Sequence, residues 1–547
     1  MGYENYSWDL DDIIKIGDFD LFCEETKVGF HLAKDRFKKL NRTSGAEAFR
    51  EFVYLVENLR DRVVKITDLP FLMRAKDQES EVAKTLENKS IQLGVEYQEI
   101  EDKLTHWLNG HWVDKKKRLK RKNVSNFLSA IPNQRYYFEK RFNFLLPENE
   151  ESLISFEKEN ERKTLEDLWT SVKIMNSKKN ASVHFDIFRA IINSQKNEAK
   201  RRGYESVLSM ENYLNDIPDS SVQLVSKICD KNRGVFFNYF KDLEKMRGKE
   251  LDFEFLDGLE FGNSLDFSLE EAMNEIPSSF DIVSKNFAKK MQDLIESKHL
   301  DLLPSEKKKN SCFCLSVSPK IAPYIFMNYR GKFEDLTNLI HEFGHGIAYS
   351  FMNSQSPFFG DASPFIDEVN SLFSEQVLLE RLCQSNKKSV RNSAKMKRIH
   401  DAFFTVFLQN FLADFETQSY AKIDDLNSES ISSMYENIFS YHTSNLIKVD
   451  SNFSHGWIEK DHLVEAPFYH QKYVIGYLLS ASLFALYKNY GREFIPKYER
   501  FLSGMNSRDP QDSLLEIGIN INSKSFWKNG FSIIQQWEHD FKESLKK

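Results

Sequence analysis

From Ala46 to Ile66, and again from Glu81 to Leu108, apolar residues recur at spacings of three and four with charged residues between them. That periodicity predicts amphipathic helices, and most of the chain reads the same way. Breaks are expected at Pro70, at Asn109-Gly110, at Leu146-Pro147-Glu148-Asn149, and between Asn215 and Asp219 around Pro218. No repeat of fixed period and no low-complexity tract interrupts the pattern. One segment differs. Ile321 to Tyr329 is rich in strand-forming residues, Arg330-Gly331-Lys332 then reads as a turn, and a helix begins at Phe333. Pro323 suits an edge strand and argues against a central one. An edge strand there could add an extended peptide to the sheet.

Composition supports a mainly α fold, because Gly (21) and Pro (13) are sparse in 547 residues. With 46 Phe, the core should be Phe-rich. A net charge of -7 gives no reason to expect a nucleic-acid partner. The basic run from Lys115 to Lys122 reads as a solvated helix face. The N-terminus has neither the basic nor the apolar region of a signal peptide, and no uncharged apolar stretch reaches the roughly 18 residues that span a bilayer. Five scattered cysteines suit reduced thiols in a cytoplasm, and Cys312-x-Cys314 is assigned to packing.

The chemistry centres on His341-Glu342-Phe343-Gly344-His345. Histidines four apart on a helix project from one face about one turn apart, so both imidazoles can share one tetrahedral Zn²⁺. Glu342 leans toward the same cavity and can take a proton from an activated water. Gly344 and Gly346 weaken the helix, which suggests that another segment passes close to it.

A catalytic zinc site needs a third protein ligand and leaves the fourth position for water. The spacing used by thermolysin-like peptidases falls on Pro364 and Phe365, and no third histidine follows shortly after His345. The next carboxylates are Asp367 and Glu368, in a segment where Ser363 is a good N-cap and Pro364 a good first helical residue. Glu368, Leu372, Glu375 and Leu379 share one stripe of that helix. A carboxylate among leucines calls for a partner, so Glu368 is assigned as the third ligand. Glu375 is a candidate for orienting a ligand histidine from behind, or equally an exposed helix glutamate.

These motifs resemble the oligoendopeptidase F family of thimet-oligopeptidase-like zinc endopeptidases. Met327-Asn328-Tyr329-Arg330-Gly331 leads into Asp335 to His345 as in that family, and Glu368 to Glu375 is similar to its Glu-(Val/Ile)-Ala-Ser-Thr-Phe-Asn-Glu helix. Trp457 and His462 precede Pro467 to Gly476, which resembles Pro-Phe-Tyr-x-Tyr-Gln-Tyr-Ala-x-Gly. Weaker echoes lie at Arg202 to Ser206 and Tyr498 to Gly518. The likeness runs from about residue 130 to the C-terminus. Departures are Ala348 in place of a frequent histidine, Asp461 in place of a frequent proline, and Gln471 in place of a tyrosine.

The resemblance implies a helical clamshell with a deep substrate channel and a small sheet beside the active-site helix. It implies an N-terminal helical lobe over 1–180 and a catalytic domain over 181–547. It further implies that His462, Tyr469 and Tyr473 reach the metal cleft and hold the tetrahedral intermediate, with Glu342 as general base. The expected protein is a cytoplasmic metalloendopeptidase with one Zn²⁺, acting on short unfolded oligopeptides as a monomer or weak oligomer without nucleic-acid or membrane partners. Two alternatives stay open: a related carboxy- or dipeptidyl-peptidase, and a non-catalytic zinc-containing protein that binds peptides.

Overall fold

The computed structural model describes residues 6–40, 45–112, 119–144, 146, 148–176, 180–259, 265–360 and 364–546. These residues are mainly helical, with one three-stranded sheet. The chain divides into two compact units: residues 1–148, 266–362 and 495–513 form the first, and 149–265, 363–494 and 514–547 the second. Most of the basic run from Lys115 lies outside the described residues. No helix among those described is long and apolar enough to cross a membrane.

In the first unit, helices Phe19–Lys39, Ala46–Lys76 and Glu81–Trp112 pack on one another. Pro70 does not end its helix, contrary to the sequence expectation. Ile66, Leu69, Leu72 and Ala75 are all buried, so the apolar stripe runs straight through the proline. Burial of that stripe outweighs a proline penalty of about 3 kcal/mol. The helix Glu81–Trp112 likewise continues through Asn109-Gly110. The other two expected breaks are present: helices Arg135–Phe144 and Glu148–Phe156 flank the first, and Val207–Leu214 and Asp219–Asn232 the second.

The sheet comprises β1 (Leu300–Asp301), β2 (Phe313–Leu315) and β3 (Tyr324–Phe326), in the order β1-β3-β2. β3 pairs parallel to β1 and antiparallel to β2. The strand after Pro323 is therefore central, which corrects the reading of it as an edge. Pro323 sits one residue before the strand, so its missing N–H removes nothing from the ladder. The edge is β2. Trp8 stacks on Phe326 with ring centroids 5.3 Å apart, and Phe313 stacks on Phe326 at 5.0 Å. These aromatics join the sheet to the Phe-rich core of the long helices.

Lys308, in the loop leading to β2, is almost wholly buried. Its ammonium lies 2.8 Å from the Asp301 carboxylate and donates to the carbonyls of Asp301, Leu303 and Met327 at 3.0, 2.9 and 2.7 Å. One cation thus ties β1, the end of β3 and the approach to β2.

The second unit is built around helix Tyr469–Tyr490, in which Val474 through Ala485 are buried without a break. An apolar helix with no polar face must be covered on all sides. Helices Pro364–Leu382 and Lys524–Leu545 supply much of that cover. The approach to the latter is so close that a Cβ on Gly530 would lie 2.7 Å from the Ser482 hydroxyl and 3.1 Å from the Leu478 carbonyl.

Replacing Lys308 with Met should destabilise the protein by about 3 kcal/mol or more, since three carbonyls lose a donor and the buried Asp301 carboxylate keeps only the more distant Lys76, at 3.6 Å. Urea unfolding of the variant beside the wild type measures this. A change below about 1 kcal/mol would show that the lysine does not tie the sheet.

Candidate active site

The helix carrying the histidine motif spans Phe333–Phe351. Its start is set by the turn read from Arg330-Gly331-Lys332. Gly331 has φ +85°, a conformation that favours glycine, and its carbonyl accepts the Phe267 N–H at 2.8 Å. The Asp335 carboxylate accepts the backbone N–H groups of Arg330 at 2.8 Å and Lys332 at 3.0 Å, closing the first turn. Leu336, Leu339, Ile340, Phe343 and Ile347 are completely buried. A Cβ on Gly346 would come within 3.0 Å of a Leu294 methyl and 3.5 Å of an Ile325 methyl. Another segment does pass close there, as the glycine suggested: helix Lys285–Glu296 and β3 press on this helix.

The packing holds the two imidazoles in place. Nε2 of His341 and Nε2 of His345 are 3.2 Å apart, with ring planes inclined at 72°. Glu342, between them in sequence, is 5% exposed.

The third predicted ligand stands on helix Pro364–Leu382, which begins at the proline as expected. The proposed N-cap, Ser363, lies outside the described residues. Glu368 and Glu375 are half-buried, and Leu379 is buried. The Ser371 hydroxyl donates to the Glu368 carboxylate at 3.0 Å. His341, His345 and Glu368 each offer one ligand atom, and these atoms all lie within 4.8 Å of one another. Glu375 is not in that group; its negative charge is among the influences that hold the Tyr477 hydroxyl protonated, after burial and Asp401.

His462, Tyr469 and Tyr473 also come together. The His462 ring centroid is 4.8 Å from that of Tyr469 and 6.2 Å from that of Tyr473, and the two tyrosine rings are 4.9 Å apart. Both hydroxyls are raised above the ordinary tyrosine range, first by burial, with the Glu368 charge contributing. Gly476 explains their approach to Glu368. A Cβ there would stand 3.2 Å from the Phe365 carbonyl, so only a glycine lets this helix lie so near the first turn of the Glu368 helix. Asp461, one of the departures noted in the sequence, accepts from Lys173 at 2.8 Å and anchors the residue before His462.

Two neighbours are not assigned to the site by the sequence, which gives Cys312 to packing and His470 no role. His470, at the free position of the tyrosine motif, is buried, and its Nδ1 lies 2.6 Å from the Gln409 side-chain oxygen. Burial, then His462 and Lys460, push its pKa down to about 3, so it is neutral at physiological pH. Cys312 immediately precedes the edge strand β2. The residue is exposed, yet its sulfur faces Glu342; burial, followed by the charge and hydrogen bond of that carboxylate, pushes the thiol up to about 12. Neither had a sequence signal, because each matters through a neighbour remote along the chain.

The profile of peptidase family M3 matches residues 153–533, a stretch that contains every residue described in this site. The chain belongs to peptidase family M3. Membership implies a metal centre, and among the described residues His341, His345 and Glu368 form the group able to hold one.

Among family relatives, the chain is 24% identical over 350 residues to an oligoendopeptidase F homolog of Borreliella burgdorferi, covering 62% of this chain and 58% of that protein. It is 23% identical over 334 residues to oligopeptidase PepF of Bacillus subtilis, covering 59% and 49% respectively. The matched region thus spans less than two thirds of these relatives' lengths. Among solved structures, one from Chlamydophila abortus shares the fold with TM-score 0.82 at 16% identity, over 100% of this chain and 99% of that one. Oligoendopeptidase-F from Enterococcus faecium shares it with TM-score 0.65 at 15% identity, over 97% and 99%.

The Cys312 environment predicts its reactivity. With the thiol held near 12, only about one in 10⁴ would be ionised at pH 8, against about a quarter of ordinary thiols. Alkylation of Cys312 by iodoacetamide, followed by peptide mass mapping, should be slow despite its exposure and faster in Glu342→Gln. Equal rates in the two proteins would show that Glu342 does not govern the thiol.

Proposed function

We propose that this M3-family chain is a zinc endopeptidase that hydrolyses short, unfolded oligopeptides, with Glu342 as general base. The observation that carries this reading is the convergence of three ligand atoms beside a buried glutamate that is not one of them. Donors about 2.0–2.1 Å from a tetrahedral zinc lie about 3.3 Å from each other, and the two Nε2 atoms are 3.2 Å apart. Two imidazoles and one carboxylate are also a donor set that leaves a fourth position open, as catalytic zinc requires.

Bound zinc would supply Lewis acidity for the scissile carbonyl and make a water acidic enough to attack it. The remaining work falls to the chain. Glu342, one residue from His341, accepts the proton of the attacking water and passes it to the leaving amine. Tyr469 and Tyr473, whose hydroxyls burial keeps protonated, donate to the oxygen that becomes negative as the carbonyl turns tetrahedral, and His462 joins them. Strand β2 is paired on one side only, to β3. Its outer edge can take an extended peptide backbone, which favours unfolded substrates.

Glu342→Gln should retain full metal content and lose about 10²–10⁴-fold in kcat/KM on a quenched fluorescent peptide. Glu368→Ala should lose the metal, measured by inductively coupled plasma mass spectrometry on the same sample. Near wild-type cleavage by Glu342→Gln would overturn the assignment of the base, and full zinc in Glu368→Ala would reassign the third ligand. Mass spectra of products from end-blocked peptides should show internal cuts; products that appear only from free termini would replace the endopeptidase reading with an exopeptidase.

Tyr473→Phe should lower kcat by about 10–10³-fold with little change in KM, because the hydroxyl acts on charge present only in the transition state. An unchanged kcat would remove Tyr473 from the reaction.

A further inference from the structure

Glu416, on helix Gln409–Lys422, is completely buried and belongs to none of the groups above. One of its carboxyl oxygens accepts the backbone N–H of Phe468 at 2.7 Å, while the other has no hydrogen-bond partner. Phe468 is the residue from which the tyrosine helix starts. It has φ 57° and ψ 24°, a left-handed conformation unfavourable for any side chain with a Cβ. Its ring is buried and packs on Tyr420 at 4.7 Å between centroids. The chain reverses here between the short helix His462–Glu465 and Tyr469, so this one turn sets how Tyr469 and Tyr473 stand relative to His462.

We propose that Glu416 is a positioning residue: its buried carboxyl clamps the Phe468 turn and so holds Tyr469 and Tyr473 where they meet the developing oxyanion. The inference rests on the peptidase reading of those two tyrosines.

Burying the Glu416 side chain penalises its charged form. Burial, opposed by the Phe468 hydrogen bond and by Lys472 and reinforced by Glu211, pushes Glu416 up to about 8. The charged groups facing it are Lys472 on the tyrosine helix and Glu211 on helix Val207–Leu214, themselves paired at 3.4 Å, with the Tyr420 hydroxyl on its own helix. The folded protein therefore prefers the protonated acid. Its contribution is complete below the unfolded carboxyl value near 4.5 and is lost as pH rises through about 8. Ionisation would not weaken the N–H bond itself; it would place a charge in a fully buried site and so cost the folded state stability as pH rises.

The test compares Glu416→Gln, which keeps a neutral acceptor, with Glu416→Leu, which keeps the bulk and removes it. Using the same quenched peptide at pH 7, Gln should stay within about twofold of wild type. Leu should lose about tenfold or more in kcat, equivalent to about 1.4 kcal/mol, with KM nearly unchanged. Above pH 8 the wild type should lose stability to urea that Glu416→Gln retains. Amide exchange at Phe468, which needs no turnover, should be slow in wild type and Gln and fast in Leu. Equal losses in Gln and Leu, or a Leu variant with wild-type kcat, would overturn the clamp. So would a Phe468 amide that exchanges freely in the wild type at pH 7, a result available even if Leu fails to fold. A wild type that cleaves no peptide would sink the peptidase reading instead, while the exchange data would still judge the clamp.

Discussion

Two imidazole nitrogens 3.2 Å apart on one helix demand that the turn between them stay regular and that both side chains be held still. Their bonding to a shared ion would depend on direction as well as distance, and a local unwinding of the turn between them, or a change of either side-chain rotamer, would move them out of register. The protein meets this demand by burying the motif helix on nearly every side and by wedging it at Gly346 against Leu294 and Ile325. A helix with one solvated face would have had room to shift. The price in helix propensity of a glycine, about 1 kcal/mol, is repaid in closeness.

The same device recurs at the tyrosine helix. Gly476 brings it within reach of the Phe365 carbonyl, and Gly530 brings helix Lys524–Leu545 against Ser482 and Leu478. At each place a missing side chain sets a distance between backbones. The polar contacts then fix the ends: Asp461 with Lys173 ahead of His462, Gln409 with His470, and Glu416 with Phe468. Packing decides where these helices lie, and a few buried hydrogen bonds decide how their first turns are aimed.

Much of the site was legible in the chain because helical periodicity is a local property. His341 and His345 share a face whatever surrounds them, and Pro364 starts a helix for reasons contained within its own ring. The resemblance in Pro467 to Gly476 marked Tyr469 and Tyr473, and they do stand together with His462. Pro70 and Pro323 were misjudged for a common reason. The cost of a proline depends on which N–H it removes and on what burial offsets the loss, and only the packed stripe through Pro70 and the strand boundary after Pro323 show either.

The sequence by itself determined a mainly helical chain and a pair of histidines able to share a metal, with a carboxylate helix following them. All of these rest on spacings of a few residues, where backbone geometry leaves little choice. Tertiary structure alone decided that β3 is the central strand, that the Cys312 thiol meets Glu342, and that Glu416 closes on Phe468. Those pairings join residues distant along the chain. A thiol or a carboxyl takes its chemistry from burial and from the charges beside it, and neither exists until the chain has folded around it.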